Sequence, residues 1–159
     1  MANDIAFEVL SIPPIGHLTE QKKDFSRLEA IIAPRITLDY SDAFGTKYEN
    51  ISASAFLKMS SHPKRLGGLV DCIHLIGSSK FKRTGPNSVT GYHQIRTEYK
   101  RWKTMDKKEV EATGQGLAMM LHFYEKIDGK WKLAGTKPTG RMSEFNFENI
   151  FKDSDVAKL

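Results

Sequence analysis

The chain has 159 residues, a formal net charge of +5 and a pI near 9.3. Apolar residues make up 40% and charged residues 27%, which is close to average globular usage, and the length fits one domain (1–159) rather than two. The single cysteine, Cys72, excludes an internal disulfide and favours a reducing compartment.

The N-terminal stretch MANDIAFEVLSIPPIGH lacks the basic region and the long apolar run of a secretory signal. The longest apolar runs of the chain are far below the roughly 20 residues of a membrane helix. We therefore predict a soluble, cytoplasmic protein with no membrane partner. Short basic segments, such as 80–83 and 100–103, come without a zinc-finger, RNP-type or GxxG motif, so no nucleic-acid partner is predicted.

The first half of the chain predicts helices. Residues 1–16 end in PPIG and are expected to be irregular, because two prolines forbid a continuous helix. A helical pattern starts at Thr19, its N-cap, and should end just after Ala33, before Pro34. The segment 36–40 alternates like a short strand, and Ser52 or Ser54 can cap a second helix.

The second half predicts four long strands, at 69–81, 88–102, 108–127 and 130–138. Asp128-Gly129 between the last two is a strong hairpin signal, and 143–151 is spaced as a short amphipathic lid. Helices followed by a meander predict an α+β fold: one curved, mainly antiparallel sheet that wraps the N-terminal helices as a cone-shaped barrel. Such a cone leaves an interior cavity, a usual place for a small molecule.

His74 interrupts a strand with apolar residues on both faces, in the run DCIHLIGSSKF. It is either a hydrogen-bonded core residue or the working group of a closed pocket. No dinucleotide, P-loop, zinc-protease or nucleophile-elbow motif is present, so cofactor-free chemistry, or none, is expected. His93 and His122 could converge from different strands, but the set of ligands that a metal needs is missing and no metal is predicted.

Both faces of the strand 114–124 are mostly apolar. One face carries Ala118, Met120, His122 and Tyr124, and the other carries Leu117, Met119, Leu121 and Phe123. The first face would line the cone interior. The second needs a cover, and a second copy of the chain is the simplest one, so a homo-oligomer is predicted.

Three stretches, GYHQIR (91–96), LHFYEKIDGKWKLAG (121–135) and EFNFENIF (144–151), together resemble the scytalone dehydratase family. The resemblance also takes in IIAP…LDY (31–40) and IHLIG (73–77), so it covers roughly residues 24–152. It implies a cone-shaped fold of the nuclear transport factor superfamily. It also implies a cofactor-free lyase, usually a trimer, that removes water from a cyclic polyketide.

The resemblance implies roles for residues at matching positions. The family's strand histidine, a general acid and base, falls on His74, and the first of its water-positioning tyrosines falls on Tyr40. Its C-terminal phenylalanine lid falls on Phe147 and Phe151. The proline of its pocket falls on Pro138.

The chain departs from the family pattern elsewhere. The Tyr-Asp pair that supports the strand histidine falls on Glu20 and Gln21, and the second catalytic histidine is replaced by Tyr99. The Ser and Asn that hold substrate oxygens become Ala118 and Met120. These last two changes make the wall apolar and remove hydrogen bonds to the substrate, so a more lipophilic or aromatic substrate is expected.

Three functions fit these residues. The first is a lyase of fungal secondary metabolism that removes water from a small cyclic polyketide-type substrate, with an aromatic or quinone-methide product. The second is a pericyclase on the same scaffold, which guides a hetero-Diels–Alder reaction of a tropolone-type quinone methide with a terpene. The third is a non-catalytic binding module.

The site residues follow from these readings. His74, Tyr40 and Tyr99 are predicted to be catalytic, although each tyrosine also fits a core position. The partners are a small molecule and, in a homo-oligomer (trimer, or dimer), further copies of the chain. Substrate contacts are predicted for six residues: Met59, Ala118, Met120, Pro138, Phe147 and Phe151.

Overall fold

The computed structural model describes residues 25–64, 66 and 68–152. The irregular segment expected at 1–16, the N-cap at Thr19 and the positions Glu20 and Gln21 lie outside the described residues. In chain order the elements are α1 (Phe25–Ile31), β1 (Ile32–Tyr40), α2 (Ser41–Phe44), β2 (Thr46–Ser52), α3 (Ala53–Ser60), β3 (Val70–Gly85), β4 (Ser88–Trp102), β5 (Val110–Ile127), β6 (Lys130–Phe145) and α4 (Phe147–Ile150).

The strands form one sheet in the order β2-β1-β6-β5-β4-β3. Neighbours are antiparallel except β1 and β6, which run parallel. Register shifts within several pairs mark bulges, which bend strands and increase their twist. The predicted α+β class, with a curved and mainly antiparallel sheet, is confirmed.

A hydrophobic core joins the helices to one end of the sheet. Leu28 of α1 and Phe56 of α3 are buried in one cluster with Ile36 of β1, Tyr124 of β5 and Leu133 of β6. Full burial of an apolar side chain of this size contributes about 1.5–3 kcal/mol. The sheet therefore packs around α1 and α3, as the element order predicts.

Local signals place several boundaries correctly. Ser52 caps α3, because its hydroxyl accepts a hydrogen bond from the backbone N–H of Ala55 at 3.1 Å. Asp128 and Gly129 form the turn between β5 and β6, both with positive φ as a tight hairpin requires. The strand 88–102 has the predicted bounds.

Other boundaries differ from the prediction. Helix α1 ends at Ile31, and Pro34 lies inside β1 rather than just beyond a helix. β1 pairs with β6 at Ile32 and again only from Thr37, so Pro34 falls in a gap of that ladder where its missing N–H costs no hydrogen bond. β6 continues to Phe145, past the predicted end, and the elements α2 and β2 were not predicted.

The helices of the described residues are short. None of those in 25–64, 66 and 68–152 has the length and apolarity to cross a membrane. Cys72 is buried and, as the single cysteine of the sequence, forms no internal disulfide.

Candidate active site

The inner face of the sheet carries alternate residues of β3, β4 and β5 that are level with one another. His74 on β3 pairs with Thr97 on β4, and Thr97 pairs with Gly116 on β5. Cys72, on this face, is 4% exposed, whereas Leu75, on the opposite (outer) face, is 55% exposed. His74 therefore faces the concave side, where the helices pack.

An aromatic cluster surrounds Tyr99 on the inner face. The rings of Tyr99 and His74 meet edge to face, with centroids 6.2 Å apart. Phe147 and Phe151 meet the Tyr99 ring at 5.1 and 5.3 Å and each other at 5.9 Å, all edge to face. This geometry is the favourable one for aromatic pairs. The structure thus brings together four of the predicted site residues.

A buried arginine anchors this phenylalanine lid. The Arg101 side chain is 1% exposed; it donates from Nη1 to the carbonyl of Ile150 at 3.0 Å and from Nε to Glu111 at 2.8 Å. Lys152, just beyond α4, also pairs with Glu111. Hydrogen bonds from Lys152 and then Arg101 lower the pKa of the Glu111 carboxyl. The charges on both sides of α4 hold the lid against β4 and β5.

Gly116 lets the lid approach the sheet closely. A Cβ at this position would lie 2.8 Å from Cζ of Phe147 and 3.0 Å from Oγ1 of Thr97, both inside normal contact distance. The sheet is therefore bare of side chains where the Phe147 ring lies on it. The lid and the strand that it covers are fitted to each other.

Between the aromatic cluster and the helices, the wall of the inner face is apolar. Met120 is level with His93 on one side and with Pro138 on the other. Its sulfur accepts a hydrogen bond from the Thr136 hydroxyl at 3.1 Å. Ala118 lies two residues away on the same face and is half-buried. This wall offers no oxygen or nitrogen of its own at positions 118 and 120.

Tyr40 and Met59 lie toward the helix-covered end of the inner face. Tyr40 ends β1, two residues beyond Leu38, which pairs with Thr136 of β6. It packs against the hydrophobic core, and burial raises the pKa of its hydroxyl. Met59 of α3 packs against the same core. The structure therefore places these two predicted site residues among the core side chains.

Four polar residues form a hydrogen-bonded chain across the inner face, which we call the polar chain. The Ser79 hydroxyl lies 2.8 Å from Nδ1 of His93, and Nε2 of His93 lies 3.4 Å from the Tyr124 hydroxyl. That hydroxyl lies 3.2 Å from Nδ1 of His122. Ser79 is exposed, and the other three residues are buried.

Burial favours the neutral form of both imidazoles of the polar chain. Burial lowers the pKa of His122 to about 3, and repulsion from positive charge on His93 and His74 acts in the same direction. Burial also lowers the pKa of His93 and raises that of the Tyr124 hydroxyl.

The polar chain is not predicted from the sequence. His93 and His122 are predicted to lie on different strands that could converge, and their ring centroids are indeed 4.8 Å apart. A usable signal was present, because His122 and Tyr124 are two residues apart and so share a strand face. Among the described residues, no group of three or more His, Cys, Asp or Glu could hold a metal ion.

The family model described as scytalone dehydratase matches residues 18–157, nearly the whole chain. This chain belongs to the scytalone dehydratase family. The scytalone dehydratase of Pyricularia oryzae is 39% identical over 132 residues, which cover 82% of this chain and 77% of that protein. A dehydratase of Pestalotiopsis microspora is 35% identical over 133 residues, which cover 83% and 84%.

The fold is shared more widely than the sequence. A solved NTF2-like protein from a Prochlorococcus species superposes with a TM-score of 0.58 at 17% identity, covering 87% of this chain and 94% of that one. Together with the family match, this likeness confirms the predicted cone fold of the nuclear transport factor superfamily. Membership of the scytalone dehydratase family makes the chain a lyase of the dehydratase type.

Proposed function

We propose that the chain is a cofactor-free dehydratase in which His74 acts as general acid and base on a lipophilic, cyclic, polyketide-type substrate. The observation that carries the proposal is the position of His74, on the inner face and edge to face with Tyr99 beneath the phenylalanine lid. An imidazole can exchange protons near neutral pH, and the phenylalanine lid covers the Tyr99 ring that lies beside it.

In the proposed reaction, His74 takes a proton from the carbon next to the one that bears the leaving hydroxyl. The protonated His74 then gives this proton to that hydroxyl, which leaves as water. One C–H and one C–O bond break, and one C=C and one O–H bond form, so no oxidant or reductant is needed. Tyr40 and Tyr99 can donate their O–H groups to substrate oxygens, and the product is an aromatic ring or a quinone methide.

The apolar wall supports a lipophilic substrate. A site with Ala118 and Met120 cannot hydrogen-bond substrate oxygens through these side chains, whereas an apolar ring gains from burial against them. The same wall and the aromatic lid favour a second candidate, the pericyclase reaction. There the interior would hold a tropolone-type quinone methide and a terpene in reactive geometry, and catalysis would come from orientation.

The test of the proposed function is turnover of two substrates by the purified chain, followed by absorbance. One is scytalone and the other is an analogue that lacks the ring hydroxyls not involved in elimination. We expect the lipophilic analogue to have the higher kcat/KM, by about tenfold, because each unmatched hydroxyl is desolvated without a partner. If neither substrate is dehydrated and a quinone methide with a terpene gives one stereoisomer, the pericyclase replaces the dehydratase.

We also propose that the chain forms a homo-oligomer, a trimer or a dimer, through the outer face of the sheet. On that face Leu75 pairs with Arg96, which pairs with Leu117, and Ile73 lies one step along. All three apolar side chains are exposed: Leu75 by 55%, Leu117 by 42% and Ile73 by 48%. The mass in solution is expected to be two or three times that of the 18.0 kDa chain. A monomer at micromolar concentration would contradict this proposal.

A further inference from the structure

The polar chain crosses three strands on the inner face and has a solvent end and a buried end. Ser79 of β3 is exposed, whereas His93 of β4 is 4% exposed and His122 of β5 is 8% exposed. The polar chain therefore leads from solvent to a buried imidazole beside Met120 and Thr136. Its buried end is His122, whose Nε2 has no hydrogen-bond partner among the described residues.

The number of protons in the polar chain determines which atom of His122 is left for a further hydrogen bond. Neutral Ser, His, Tyr and His each carry one O–H or N–H, which makes four donors for three hydrogen bonds. If Ser79 donates to His93, and the bonds continue in that direction, then His122 accepts at Nδ1 and keeps its proton on Nε2. If the direction is reversed, His122 donates from Nδ1 and Nε2 becomes an acceptor. In both directions Nε2 of His122 stays available.

The absence of charge at this end limits what it can bind. The pKa of His122 lies at about 3, and the groups that face it, His93, Tyr124 and His74, do not supply a negative charge that would raise it. A neutral imidazole does not attract a carboxylate or a phosphate as a cation does. It does hydrogen-bond a carbonyl oxygen when Nε2 carries the proton, or a hydroxyl when Nε2 is bare.

We propose that Nε2 of His122, set by the polar chain, is a subsite that hydrogen-bonds an uncharged carbonyl or hydroxyl oxygen of the substrate, at the far side of the apolar wall from His74. The subsite rests on the proposed function for the identity of its ligand. It replaces the oxygen contacts that the wall lacks at Ala118 and Met120, and it fixes which end of a lipophilic ring faces His74.

Gly91 is part of this arrangement. It pairs with His122 across β4 and β5, and a Cβ there would lie 2.5 Å from Nε2 of His93 and 3.1 Å from the Phe81 ring. Only a residue without a side chain lets the His93 ring reach the Tyr124 hydroxyl. The polar chain thus depends on the space left at Gly91 as well as on its four members.

The test compares two unreactive ligands, 1-tetralone and tetralin, which differ by one carbonyl oxygen and have no hydroxyl to eliminate. We expect the wild-type chain to bind 1-tetralone about five- to tenfold more tightly than tetralin, the usual net effect of one hydrogen bond. In His122→Phe this preference should vanish, whereas tetralin should bind as before. The matched control is His62→Phe, in the exposed turn after α3, which should keep the preference.

A second measurement does not depend on a variant that folds. The ¹⁵N shift of His122 Nε2 in the wild-type chain should change on saturation with 1-tetralone and stay unchanged with tetralin. The proposal is overturned if the ketone preference survives in His122→Phe, if Nε2 does not respond to 1-tetralone, or if neither ligand binds. A chain that shows the preference but dehydrates nothing keeps the subsite and loses the proposed activity, so the two failures are distinguishable.

Discussion

Replacement of His74 by glutamine is expected to lower kcat for dehydration by about 10²–10⁴-fold, the usual contribution of a positioned general acid and base. Glutamine approximates the size of the imidazole but cannot take up a proton. KM should change little, because the ring of Tyr99 and the lid remain to hold the substrate. Steady-state kinetics with the better of the two substrates measures the effect.

Two controls make this experiment specific. His62→Gln changes an exposed histidine outside the sheet and should leave kcat unchanged. Thermal unfolding of His74→Gln should stay within a few degrees of the wild-type value, since His74 is only half-buried. A folded His74→Gln chain with undiminished kcat would contradict a catalytic role for His74 and leave it a structural one.

Acidification from about pH 7 to about pH 5 is expected to destabilise the chain by about 2 kcal/mol through His122 alone. The pKa of His122 is about 3 in the folded chain, below the ordinary value of about 6.5 that it regains on unfolding. The unfolded state therefore binds the proton first. The contribution of neutral His122 to the free energy of unfolding is fully present above about pH 6.5. It is lost as the pH falls toward 3, by about 1.4 kcal/mol per pH unit.

The measurement is urea unfolding of the wild-type chain and His122→Phe at both pH values. The variant should lose less free energy of unfolding on acidification, whatever its absolute stability, because it has no imidazole at 122 to protonate. Carboxylates and His93 titrate in both chains; the pKa of His93 is also lowered by burial, so some pH dependence remains in the variant. Equal losses in the two chains would mean that His122 is already accessible to protons in the folded state.

The sequence by itself predicts a local structure correctly where the residues that specify it lie within a few positions of one another. Ser52 caps α3 through an atom three residues away, and Asp128-Gly129 closes its hairpin by its own backbone preferences. The family follows from the sequence as well, because long motifs such as LHFYEKIDGKWKLAG lie within one stretch of chain. These features need no knowledge of which strands meet.

The structure of α1 and β1 shows where local signals fail. Pro34 is a strong helix breaker and therefore predicts that the helix ends beside it. The helix in fact ends at Ile31, because Ile32 already pairs with Leu133, about a hundred residues further along the chain. A tertiary contact overrides the local preference there.

The polar chain was decided by tertiary structure. Simple alternation from Ile76 would place Ser78 on the inner face, but a register shift between Ile76 and Ser79 turns Ser79 inward beside His93. Tyr124 and His122 reach His93 only because β5 lies next to β4 in one particular register. Composition and periodicity carry hydrophobic pattern and turn chemistry, whereas a bulge and a strand register depend on the packing of the whole sheet, so the convergence of these side chains exists only in the folded chain.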